Sequence, residues 1–337
     1  MKEKERKMRE TIKVLCCIIL LAVLCYTASP ALAGVPEAKA LGDKGNYAGM
    51  VIELEKTALK GDVTAMAMLS MVYNEHYEGV GRNLKKSFYW AKKAADAGNE
   101  RGMAILSLHY LYGLGNTKKN EKEGLKWLRA SAAKYDEDGM MWLGEAHWDG
   151  LFGLQKDYTE AMKWFGAVAQ TGNSNAQYNV GRGFMNGLGV KRDLFAAGNW
   201  FLKAAEQGNM EAQFAVGNIY AGNEGTEISP DYPKAFKWYL KAAEQGHKDA
   251  QYGVGVMLYS GSGTTKDTQR AFEWFQKAAK QGQPYAESVL SEAYANGWLG
   301  VEKNLDEAIR WASLAVQHGN TDFKKSLDEY KKAKNTR

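Results

Sequence analysis

Few residues in this chain are grouped as a reaction would need them. The nearest approach is Ser131-Ala132-Ala133-Lys134, where a lysine one helical turn beyond a serine could take its proton and leave a nucleophilic oxygen. Enzymes that use Ser-x-x-Lys in this way also carry Ser-Asp-Asn and Lys-Thr-Gly elements, and neither string occurs here. The five histidines His76, His109, His147, His247 and His318 make no pair at the spacing that places two imidazoles on one metal. Gly187-Leu188-Gly189 follows a helical pattern rather than a strand, so its glycines do not read as a phosphate cradle. The expectation is no catalytic constellation, no metal and no cofactor.

Composition narrows the classes further. A basic start (Lys2, Lys4, Arg6, Lys7, Arg9, Lys13) runs into an apolar stretch from Val14 to Tyr26, and Ala31-Leu32-Ala33 supplies small residues for cleavage. Residues 1–33 therefore read as a Sec-type signal peptide cut after Ala33, which sends the protein to the periplasm or the medium. The alternatives are a retained anchor, for which the apolar run is short of the roughly 20 residues a bilayer needs, and a lipoprotein, which Leu24 before Cys25 disfavours. Membrane contact is expected only through that segment if it stays uncleaved. Cys16, Cys17 and Cys25 all lie inside it, so disulfides and cysteine-bound metals are excluded from the mature chain. The leader also carries six of the 44 basic and three of the 39 acidic residues, so the formal charge falls from +5 to +2 on its removal. That balance has no footprint for nucleic acid.

What organises the rest is repetition. Trp90, Trp127, Trp164, Trp200, Trp238, Trp274 and Trp311 recur at intervals of 36 to 38 residues, a period that belongs to solenoids of helix pairs. Seven residues before each stands Asn83, Asn120, Asp157, Asp193, Asp231, Asp267 or Asn304, whose short side-chain oxygen suits the N-cap of a helix. Three before it is a small residue (Ser87, Gly124, Ala161, Ala197, Ala235, Ala271, Ala308), and eight after it a helix-closing Gly, with Tyr135 the one departure. An aliphatic residue follows eight further on (Leu69, Leu106, Leu143, Val180, Val216, Val254, Leu290), always succeeded by Ser or Gly, with Ala or Gly four before it. A large residue usually stands four after it. Each unit is thus a helix A and a helix B, and only the loop between them changes length, most of all at Ala221 to Pro230.

Ala176-Gln177-Tyr178-Asn179-Val180-Gly181 and Ala235-Phe236-Lys237-Trp238-Tyr239-Leu240-Lys241-Ala242-Ala243 carry a resemblance to the Sel1-like repeat, a longer relative of the tetratricopeptide repeat. The pattern covers residues 62–319 as seven units, 62–98, 99–135, 136–172, 173–208, 209–246, 247–282 and 283–319. Residues 34–61 are expected to be a linker and one capping helix, from Asn46 to Lys60, and 320–337 a C-terminal cap. The expected fold is all-α, an α/α superhelical solenoid of about sixteen helices, with the tryptophans plugging the seams between helix pairs.

The resemblance implies a non-catalytic adaptor or regulator that binds a protein or peptide partner in the concave groove. In the tetratricopeptide-like register the groove positions include Tyr112 in repeat two, Glu145, Trp148 and Asp149 in repeat three, and Tyr178, Arg182, Met185 and Asn186 in repeat four. Asn218 follows in repeat five and Tyr252 and Tyr259 in repeat six; Met141 and Phe214 share the register. Tyr178, Phe214 and Tyr252 occupy a place where the family itself often has an aromatic for packing. One alternative comes with the resemblance, penicillin binding or weak β-lactam hydrolysis as in cysteine-rich relatives whose disulfide pattern is absent here; another, cell-wall glycan binding, rests on the groove aromatics. The core assignment predicts a large stability loss for Trp200→Ala and almost none for Trp148→Ala.

Overall fold

A computed structural model describes residues 34–222 and 229–335. The expected signal segment and most of the Ala221–Pro230 insertion lie outside the described residues. Two compact units divide the chain, Met1–Trp164 and Phe165–Arg337. Among the described residues the regular structure is helical, apart from one isolated antiparallel bridge between Tyr77 and Val80.

The first unit opens with α1 (Gly34–Asp43) and α2 (Tyr47–Leu59), then the repeat pairs α3 (Val63–Asn74) with α4 (Leu84–Asp96) and α5 (Glu100–Tyr112) with α6 (Glu121–Ala133), followed by α7 (Glu137–Asp149). Helix α8 (Tyr158–Ala169) crosses the division. The second unit holds α9 (Ser174–Asn186) with α10 (Leu194–Glu206), α11 (Met210–Ala221) with α12 (Tyr232–Glu244), α13 (Lys248–Ser260) with α14 (Thr268–Lys280), and α15 (Pro284–Asn296) with α16 (Leu305–Gln317). A 3₁₀ turn, Thr321–Phe323, leads into α17 (Lys324–Asn335). Seventeen α-helices are described, one more than the repeat pattern predicts, because residues expected to be a linker form α1. Pro36 sits in its first turn, where a missing N–H costs nothing, and Ala38 is fully buried.

Each helix B starts where the cap residues place it. Asn83, Asn120, Asp157, Asp193, Asp231, Asp267 and Asn304 all accept a backbone N–H of the first turn. The backbone N–H of the same seven residues donates to the carbonyl of the large residue near the end of helix A, at 2.8–3.0 Å in every repeat. Both ends of the variable loop are thereby pinned, which is why its length can change without shifting the helices. Helix A has caps as well, which the tryptophan-based reading did not pick out: Asp62, Asn99, Asp136, Asn173, Asn209, His247 and Gln283.

The core differs from the expected one at the tryptophan position of helix B. Trp90, Trp274 and Trp311 are buried, but Trp127, Trp164, Trp200 and Trp238 are only half-buried. Cations roof several of the indoles, with Lys203 over Trp200 at 4.4 Å, Lys241 over Trp238 at 4.2 Å and Lys277 over Trp274 at 3.9 Å. The deepest seat belongs to the next residue. Ala91, Leu128, Phe165, Phe201, Tyr239, Phe275 and Ala312 are all buried, none more than 5% exposed. On an α-helix one residue is a 100° step, and the packed stripe centres on this position while the indole lies along its rim.

That shift explains the Ser/Gly rule of helix A. A Cβ on Gly181, Gly217 or Gly255 would stand 2.5–2.6 Å from the ring of Phe201, Tyr239 or Phe275. Where serine takes the place, as at Ser70, Ser107 and Ser291, the residue after the tryptophan is Ala91, Leu128 or Ala312, and the small pocket leaves room for a hydroxyl. Ring size on helix B and side-chain volume on helix A are complementary.

Candidate functional site

In the second unit, backbone-anchored amides lock successive helix pairs in register. Gln177, Gln213 and Gln251 each donate to a carbonyl of the preceding helix B, Ala169, Ala205 and Ala243. Each also accepts from a glutamine at the end of its own repeat's helix B, Gln207, Gln245 and Gln281, at 2.7–2.8 Å. In the last repeat the pair becomes Glu287 and His318, whose Nδ1 lies 2.8 Å from a carboxylate that is 1% exposed. Burial raises the Glu287 pKa and the imidazole partly opposes it. A second ladder joins helix-A caps to the preceding repeat: Asn209 to Asn175, His247 to Glu211 and Gln283 to Asp249.

These ladders set the spacing of a cleft of about 490 Å³ on the row of A helices in repeats five to seven. Phe214 and Asn218 of α11, Tyr252 and Val256 of α13, Tyr285 of α15 and Tyr232 of α12 form much of its wall. Phe214 lies 5.7 Å from Tyr239 and stacks on the cap imidazole of His247 at 4.3 Å. Tyr252 packs on Phe275 at 5.9 Å and on Tyr285 at 6.0 Å. Inside the cleft the Tyr239 hydroxyl donates to Asn218 Oδ1 at 2.6 Å. Tyr285 is 57% and Tyr232 46% exposed, so these two rings offer apolar area to solvent beside the sheltered ones.

The family model for the Sel1 repeat matches residues 63–99, 101–136, 137–169, 174–209, 211–247, 248–283 and 284–320, seven units that span most of the chain. The chain belongs to the Sel1 repeat family. Its repeats are similar to those in the crystal structure of c5321, a protective antigen of uropathogenic Escherichia coli, at 27% identity and a TM-score of 0.72 over 88% of this chain. The chain spans 63% of that structure's length. A Sel1 repeat protein from Oxalobacter formigenes matches over 92% of this chain and 98% of its own, at 23% identity and a TM-score of 0.65. No curated protein matches. The fold is therefore the all-α solenoid of Sel1 repeats, which generally serves as a scaffold for protein interactions.

Within the Sel1 frame the expected groove residues separate. Asn218 and Tyr252 reach the cleft, joined by Phe214. Tyr178 packs on Phe201 at 5.6 Å with the Arg182 guanidinium 5.8 Å from its ring centre. Burial raises the Tyr178 pKa, Glu211 adds to the rise and Arg182 opposes it. Met185 is half-buried and Asn186 exposed, its amide turned back onto the Arg182 carbonyl at 3.0 Å. Tyr259 is exposed, with Lys266 5.5 Å from its ring centre, and is not part of the cleft wall.

In the first unit Tyr112 and Glu145 are half-buried and Asp149 is exposed at the end of α7. Tyr112 meets Phe152 edge-on at 5.4 Å, and burial followed by the charge of Glu145 pushes its pKa up to about 12. Trp148 corrects the sequence reading. It is buried, 7% exposed, with its ring edge-on to Tyr158 at 5.0 Å, because the turn after α7 brings the start of helix B back over the indole. Trp148→Ala is therefore expected to destabilise rather than leave the melt unmoved. Met141 is buried as well.

The Ser131 hydroxyl is fully buried and donates to Asp136 Oδ1 at 3.3 Å, while Lys134 is exposed. A serine without accessible surface cannot meet a β-lactam carbonyl. The aromatic at the first register position of helix A packs against the residue after the tryptophan in all three repeats that carry it, Tyr178, Phe214 and Tyr252. Its packing role stands beside any binding role. Among the cleft residues the sequence reading missed are Asp249, Tyr285 and Tyr232, all in the first turns of their helices. The groove register counts positions further along helix A, so it passes over first turns and, for Tyr232, over helix B altogether.

Proposed function

We propose that the protein is an exported, non-catalytic adaptor or regulator that holds a protein or peptide partner on the A-helix row of its Sel1 repeats, centred on repeats five and six. The observation that carries this reading is the cleft itself, where partly exposed tyrosines beside hydrogen-bonding amides give the mixture that protein-recognition surfaces favour. The basic, apolar and small-residue order of 1–33 supports export. N-terminal sequencing of protein recovered from the envelope or medium is expected to begin at Gly34; a start at Met1 would argue for the retained anchor.

Partner binding is tested in cells with a photocrosslinking amino acid at position 285 or 259, compared with position 135. Tyr135 is 80% exposed and is not among the residues that line the cleft. The same crosslinked species at 285 as at 135, or none at 285, would count against the cleft. The β-lactam alternative has a direct readout: purified mature protein is expected to leave nitrocefin intact, and turnover lost in Ser131→Ala would overturn the adaptor reading.

A further inference from the structure

The lining of the cleft has an unbalanced charge. Among its described residues Asp249 is the single charged side chain, and no Lys, Arg or His is present. Its carboxylate stands at the N-terminal turn of α13, with the Gln283 amide at 3.4 Å, a long and neutral contact. The rings of Tyr252 and Tyr285, 6.0 Å apart and inclined by 33°, line the same cleft, as do those of Phe214 and Tyr232. Elsewhere in the same unit the tryptophan faces are already capped by lysines of this chain, at Trp200, Trp238 and Trp274. Among the ring–cation contacts of the described residues, none places a cation of this chain on Tyr252, Tyr285 or Phe214.

Ring faces carry negative charge density, and a carboxylate beside inclined rings favours a cation that is apolar along its stem and charged at its tip. A lysine or arginine side chain has that form. A flat sugar face would instead want a single open platform, whereas Tyr252 and Tyr285 are inclined to each other and Phe214 already spends a face on His247. We infer that the cleft between repeats five and seven recognises an extended peptide segment through a basic side chain, laid against the exposed ring of Tyr285 beside Tyr252 with its charge at Asp249. This rests on the peptide-binding reading above and names the chemistry that reading leaves open.

The test uses the mature protein and an immobilised positional-scanning library of decapeptides in which one position is fixed as Lys, Arg, norleucine or Glu. Lys and Arg pools are expected to be retained at least about fivefold more than norleucine pools, with Glu pools weakest. The preference should shrink as salt is raised. Asp249→Asn should remove most of the Lys-over-norleucine preference, and Tyr285→Ala, at an exposed ring, should weaken Lys and Arg pools while the far-UV spectrum stays unchanged. Peptide binding with no basic preference, or with a preference that Asp249→Asn leaves intact, overturns this inference while the adaptor reading survives. Retention of chito-oligosaccharide or peptidoglycan fragments with no peptide retained would overturn both, as would binding of neither class.

Discussion

At the scale of single residues, the side chain after each repeat tryptophan carries more of the core than the tryptophan does. Phe201 is 1% exposed, and truncating it leaves a cavity that Gly181, being only backbone there, cannot fill. Phe201→Ala is expected to cost about 3–5 kcal/mol in urea unfolding, and Trp200→Ala, half-buried under Lys203, about 1–2 kcal/mol. The reverse order would restore the tryptophan-centred core. Trp148→Ala should lose about 3 kcal/mol, measurable by the same titration. His109 adds a pH dependence. It is fully buried, its Nε2 lies 2.9 Å from the Ser87 hydroxyl, and burial pushes its pKa down from 6.5 to about 4. A depressed pKa means that the unfolded chain binds the proton first as pH falls. The stability is present in full above pH 6.5 and drains away between 6.5 and about 4, by roughly 3 kcal/mol in all. Unfolding free energies of His109→Gln across that window should be flatter than those of the wild type.

At the scale of elements, helix ends obey local chemistry closely enough that exceptions are informative. Six of the seven helix-B terminators are glycines with left-handed backbone, φ between +72° and +113°. Tyr135 adopts the same conformation at φ +62° with its side chain 80% exposed. It gains little packing and bears the Cβ clash of the left-handed region. Tyr135→Gly is expected to raise stability by about 1 kcal/mol, read as an upward shift of the thermal midpoint; no shift or a loss would mean that the phenol ring makes a contact the helix end needs. His247 shows the other kind of exception. Its Nδ1 accepts the Ala250 N–H at 3.1 Å and so carries no proton, leaving Nε2 as the donor toward Glu211. An imidazole thereby does the work that Asp or Asn does at other caps, and also offers a flat face to Phe214.

At the scale of the molecule, each unit is held mainly by contacts between helices adjacent in sequence, and the glutamine ladder of the second unit likewise spans one repeat at a time. Long repeat arrays of this kind depart from two-state behaviour. Phe201→Ala should therefore broaden unfolding and separate the far-UV circular dichroism curve from the tryptophan fluorescence curve. Coincident, equally steep curves would show coupling beyond nearest neighbours.

Repeat number, the two ends of helix B and loop positions are legible in the sequence, because helix-B caps, terminal glycines and the tryptophan period are local and recur seven times. Local signals fail where a residue's neighbour comes from another helix. The period marks the conspicuous residue, Trp200, and says nothing of the 100° step that seats Phe201 instead. Nor does it tell that Trp148 is roofed by Tyr158, or that Gly34–Asp43 continues as helix. The amide ladders and the cleft join residues on different helices, Gln213 with the Ala205 carbonyl of the preceding repeat and with Gln245 of its own, and Gln283 with Asp249. Such contacts form only when helices pack on one another, so tertiary packing alone decided which side chains line the cleft.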